Sequence, residues 1–115
     1  MQVPLQITLR NLPASPALTD KIRTRVAKLE ALGRRIVSCS VTVDASHKHQ
    51  QQGREFSVHI DLRVPGHEIA VTRDHHEDVY VALREAFDAV TRKAEEQTEI
   101  VRGHVKTHES DRGRV

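Results

Sequence analysis

Cysteine occurs once, at position 39, in a chain of 115 residues. A single thiol excludes an internal disulfide and leaves no framework for a cysteine-based metal site. Tryptophan is absent and aromatic residues make up only 3%, namely Phe56, Tyr80 and Phe87. The core must therefore be aliphatic, and recognition of single-stranded nucleic acid by base stacking is not expected. No apolar run approaches the roughly 18 residues of a membrane span. The N-terminus shows no charged region followed by an apolar block, so no signal peptide is expected. These absences predict a soluble, cytoplasmic protein with no membrane partner. The length fits one domain with a single modest core.

Signals of chemistry are equally sparse. There is no glycine-rich phosphate loop and no GxSxG. The runs His47-Lys48-His49 and His75-His76 invite a metal reading, but zinc ligands are set at spacings such as CxxC or HxxxH on a rigid element. Solvent-exposed histidines are the plainer account, and no metal and no cofactor are expected. Cys39 has no basic neighbour in its segment and reads as a small core residue rather than a nucleophile. His59 and Asp61 fall on one strand face, where they could pair, yet without a nucleophile or a pocket they support no reaction. We expect neither an enzyme nor a small-molecule substrate.

What the chain does contain is patterned hydrophobicity. In "VPLQITLR", Leu5, Ile7 and Leu9 alternate with Gln6, Thr8 and Arg10, the period-two signature of a half-buried strand. "IVSCSVTVDA" and "EFSVHIDLRV" repeat it, and "GHEIAVT" is a shorter case, with Pro65-Gly66 as a tight turn between the last two. "SPALTDKIRTRVAKLEALG" reads as a helix. Ser15 is its N-cap, Pro16 its first residue, Gly33 its stop, and Leu18, Ile22, Val26 and Leu29 its apolar stripe. In "HEDVYVALREAFDAVTRKAEEQTE", Val79, Leu83, Ala86, Phe87, Val90 and Ala94 form a second stripe. Asp74, or Asp78 if the helix starts later, is its cap. The link "SHKHQQQGR" reads as a polar, mobile loop. Residues 1–103 are expected to form the domain and 104–115 a polar, flexible tail.

The order strand, helix, three strands, helix predicts an α+β fold. The economical arrangement is a two-layer sandwich, β-α-β-β-β-α, with a four-stranded mixed sheet and both helices on one face. The crossover through the first helix makes the first two strands parallel. Hairpins make the others antiparallel. The far sheet face stays polar, with Thr8, Ser40, Thr42, His59, Asp61 and Arg63.

Charge is unevenly spread. The net value is +2, but Lys21 to Arg35 holds six basic residues against one acidic, and Glu77 to Glu99 holds seven acidic against three basic. Lys21, Arg25 and Lys28, at i, i+4 and i+7, line one edge of the first helix's apolar stripe. A basic ridge suits an anionic partner, nucleic acid above all; a solvated helix face is the bland alternative. With aromatics scarce, phosphate and shape recognition of structured RNA fits best.

Two segments, "VAKLEALGRRI" (Val26 to Ile36) and "EDVYVALREAFDAVTRK" (Glu77 to Lys93), resemble the helical signatures of the ribosome hibernation-promoting factors. That family includes the ribosome-associated translation inhibitor and was once described as sigma-54 modulation proteins. The likeness spans roughly residues 2 to 100, and the element order matches the family's fold. It implies binding to the 30S subunit between head and body, contact with 16S rRNA phosphates, and steric exclusion of mRNA and tRNA. Lys28, Arg35 and Arg92 match basic positions of the family. Tyr80 and Ala82 match a "YxA" element that reads as packing. With their basic neighbours, the expected RNA-binding set is Lys21, Arg25, Lys28, Arg34, Arg35, Arg92, Lys93, Arg102 and Lys106. The chain departs from its relatives at "EEQTE", Glu95 to Glu99, where a lysine-rich end is usual, and at Gly33, where a bulky residue is common. The dimerisation domain of the long factors is absent, so a monomer off the ribosome is expected. Two alternatives remain at this point: a general structured-RNA-binding regulatory module, and a protein-interaction module that docks through the acidic second helix.

Overall fold

The computed structural model describes residues 3–31, 35–47 and 54–110, the side chains at 46, 47, 54 and 98–110 excepted. Its elements run β1 (Gln6–Arg10), α1 (Pro16–Ala31), β2 (Ser38–His47), β3 (Arg54–Val64), β4 (His67–His76) and α2 (Val79–Ser110). The strands form one four-stranded sheet in the order β1-β2-β3-β4. β1 and β2 are parallel, and the other two pairs are antiparallel. This is the α+β sandwich that the alternating segments predict. The period-two residues Cys39, Val41, Val43, Val58, Ile60, Leu62, Ile69 and Val71 all point to one side. There they meet Leu18, Ile22, Val26 and Leu29 of α1 and Ala82, Leu83, Ala86, Phe87, Ala89, Val90 and Ala94 of α2 in a single core. No polar or charged side chain among the described residues is buried, so burial carries no unpaired polar group with it.

Local chemistry sets the element ends. Ser15 Oγ accepts from the Leu18 N–H at 3.2 Å and caps α1. Asp78 Oδ1 accepts from the N–H groups of Tyr80 at 2.8 Å and Val81 at 3.4 Å, so α2 begins at the later of the two expected caps. Pro65 and Gly66 join β3 to β4. Proline holds φ near −65° and Gly66 has φ 81°, the pairing of a type II turn.

β4 outruns its apolar alternation. Val58 pairs with Arg73, but Phe56 pairs with His76, so β4 carries one more residue than β3 in this interval. The interval contains His75 at φ 63°, as expected for a bulge with a left-handed residue. The extra residue reverses the inside–outside parity. It turns His76 towards α2, where its Nε2 lies 3.1 Å from Glu85 Oε1. His75 Nδ1 lies 3.1 Å from Glu55 Oε1. At the other end of β4, Gln97 Nε2 is 2.9 Å from His67 Nε2. These contacts set α2 antiparallel to β4. The helix then continues through Ser110, past the first residue of β4 and into the stretch the sequence assigns to a polar tail. Gly33, the expected stop of α1, and most of the β2–β3 link lie outside the described residues; α1 ends at Ala31.

Candidate RNA interface

The sheet has two unlike surfaces. On the face away from the helices, cross-strand partners place Thr8, Thr42, His59 and Thr72 in one row. His59 Nδ1 is 2.7 Å from Thr72 Oγ1, and its Nε2 is 3.3 Å from Asp61 Oδ2. Nearby, Asn11 Nδ2 donates to Asp44 Oδ1 at 2.9 Å, and Arg63 approaches Glu68 at 3.8 Å. This face is rich in hydroxyls, and its carboxylates (Asp44, Glu55, Asp61 and Glu68) outnumber its guanidiniums (Arg10 and Arg63). The His59–Asp61 pair is only half-buried, on an open sheet face without the enclosure that acid–base chemistry uses. No group of three metal-ligating side chains occurs among the described residues.

The helical side carries the cations. Lys21 and Lys28 of α1 are exposed and Arg25 is half-buried. Arg35 is exposed three residues before β2. Arg92 and Lys93 are exposed on α2. None of these six is paired with a carboxylate among the described residues. Arg34 lies outside the described residues. Arg102 and Lys106 lie on the backbone of α2 beyond the sheet, their side chains outside the description.

Topology brings several of these positions together. The parallel β1–β2 crossover makes α1 run against both strands, and α2 runs against β4, which is parallel to them. The helices are therefore parallel to each other, and they touch. Gln97 is level with His67, so Arg92, about 7.5 Å back along the helix, is level with Ile69. Ile69 is opposite Leu62, which is opposite Cys39. The end of α1, Arg35 and the Arg92–Lys93 turn thus share one end of the molecule. Glu95 and Glu96 are exposed at that end too, so its positive character comes chiefly from the α1 side.

The acidity of α2 is partly consumed by the fold. Asp78 is the cap, Glu85 is tied to His76, and Glu95 has a partner within the chain. The structure also supplies a cation that sequence reasoning missed. Arg84 is exposed on α2, and its i, i+8 relation to Arg92 was the available signal. The "YxA" element splits: Ala82 is fully buried, as expected of packing, whereas Tyr80 is 42% exposed.

These features define a two-layer α+β protein with a charged helical layer on one side of its sheet. Residues 5–102 match the model of the sigma 54 modulation protein / S30EA ribosomal protein family, and the chain belongs to that family. Membership makes it a ribosome-associated, non-enzymatic factor. The fold is similar to that of the N-terminal domain of Protein Y from Thermus thermophilus. That match has 20% identity and a TM-score of 0.62, over 81% of this chain and 94% of that one. It is also similar to a ribosomal subunit interface protein from Coxiella burnetii. There the identity is 17% and the TM-score 0.59, over 86% of this chain and 97% of that one. None of the curated proteins matches this chain. Among the described residues, no helix is long and apolar enough to cross a membrane.

Proposed function

We propose that this chain binds the 30S subunit in the cytoplasm through 16S rRNA phosphates. There it occupies the channel used by mRNA and tRNA and blocks both sterically. The observation that carries this reading is the set of exposed cations on the helical layer that have no carboxylate partner among the described residues: Lys21, Lys28, Arg35, Arg92 and Lys93. A cation already paired within the fold has less to offer a phosphate; these keep their full charge for one. Family membership supplies the ribosome as the RNA, and the Coxiella burnetii neighbour is itself named for the subunit interface. We assign binding to residues 1–103, with 104–115 as a polar tail, and take the free protein to be a monomer.

Co-sedimentation with 30S subunits at low and high salt tests this. The comparison is between the native chain and a Lys21, Lys28, Arg35 triple alanine variant. Salt-sensitive binding that is lost in the variant is the expected result. Binding retained by the variant moves the contact to α2 or the tail. No binding by either chain sinks the reading, and equal affinity for arbitrary duplex RNA replaces it with a general RNA-binding module.

A further inference from the structure

Tyr80 is left unused by phosphate recognition. The chain has one tyrosine and no tryptophan; Phe87 is buried and Phe56 half-buried. Tyr80 is the one exposed aromatic among the described residues, while Ala82 and Leu83 beside it are wholly buried. At about 100° per residue, Tyr80 lies roughly 90° round from the middle of the buried stripe, on the flank of α2 at the stripe's exposed edge. Its backbone is held by the Asp78 cap. Its phenol hydroxyl has no hydrogen-bond partner among the described residues. One turn on, Arg84 is exposed and likewise has no carboxylate partner among them. Residues at i and i+4 are neighbours on a helix surface.

The chemistry of this spot differs from that of the basic ridge. Glu77, Asp78 and Asp88 lie within about two turns, and their charge opposes a phosphate. A nucleobase is an uncharged ring with a π-face and polar edges. Aromatic and guanidinium planes both stack on such a ring, and a tyrosine hydroxyl can bond its edge. One aromatic serves one base, not a single-stranded run.

We propose that Tyr80 and Arg84 form a stacking step for one unpaired nucleobase of the RNA that the helical layer engages. This inference rests on the RNA-binding reading above. Its test uses the full chain and 30S subunits, with affinity measured at several salt concentrations. Tyr80→Ala weakens binding on the order of tenfold. The slope of log affinity against log salt stays unchanged, because stacking releases no counterions. Tyr80→Phe keeps most of the affinity, and Arg84→Ala loses part of it. Melting curves of the variants match the native one, since both side chains are exposed. A p-benzoylphenylalanine placed at position 80 crosslinks to rRNA. Native affinity in Tyr80→Ala, an equal loss in Tyr80→Phe, or crosslinks to a ribosomal protein instead would overturn the proposal while leaving phosphate binding intact. Failure of the native chain to bind 30S subunits would sink both.

Discussion

Leu83 and Ile60 are wholly enclosed, with no exposed area. Truncating Leu83 to alanine removes core contacts and leaves a void under α2, for a loss of about 2–5 kcal/mol in urea unfolding. Cys39, opposite Leu62 in the same core, has its thiol pushed up to about 11, first by burial and then by the carboxylates of Asp61 and Glu30. The folded state then holds its proton where the unfolded chain has lost it. Stability is full below about pH 8.5, the usual thiol range, and declines as pH rises through about 11. Cys39→Val flattens that decline in a pH series of unfolding curves. Thiol reagents at neutral pH leave native Cys39 unmodified. On the surface, Lys28→Glu weakens 30S binding more than Glu95→Lys, which strengthens it or leaves it unchanged. The reverse order in a binding titration would mean that α2, and not α1, faces the RNA.

Elements depend on a few capping and turning residues. Asp78 holds two of the otherwise unsatisfied N–H groups at the start of α2. Asp78→Ala costs roughly 1 kcal/mol in thermal or urea unfolding, whereas Asp74→Ala, at the cap position not used, is nearly silent. Gly66 sits at φ 81° with open space around an added Cβ. Gly66→Ala therefore costs about 1 kcal/mol from backbone conformation alone, with no steric clash added. The cores of β2 and β3 were legible because each alternates strictly. The far end of β4 was not. Arg73 to His76 has no apolar alternation, and its strand character comes from pairing with β3 across a bulge. That bulge also decides that His76 meets Glu85, a contact between residues that no local pattern relates.

For the whole molecule, the proposed function is electrostatic association with a large anion, and it predicts affinity that falls steeply with salt. Log affinity loses slightly less than one unit per decade of salt for each phosphate neutralised. The Lys21, Lys28, Arg35 triple alanine variant flattens that slope by about two to three units per decade, read from 30S binding at a series of ionic strengths. A variant that binds weakly but keeps the native slope would place these residues outside the contact. The open sheet face, where carboxylates outnumber guanidiniums, contributes little to the slope: Arg63→Ala leaves it nearly unchanged.

Period and composition alone determined the α+β class, the strand and helix order, the parallel crossover and the aliphatic core. Each follows from which residues recur at two or near 3.6 positions, and that information is local. The basic ridge of α1 was legible for the same reason, since i, i+4 and i+7 fall on one helix edge. Only the tertiary structure decided that α1's end, Arg35 and the Arg92–Lys93 turn share one end of the molecule. It also decided that several carboxylates of α2 are spent on a cap and internal partners, and that Tyr80 is left exposed at the edge of the stripe while Ala82 is enclosed. Those outcomes depend on strand register, on one extra residue in β4 and on the side of α2 that meets the sheet. They are relations between segments distant in the chain, and no window of sequence contains them.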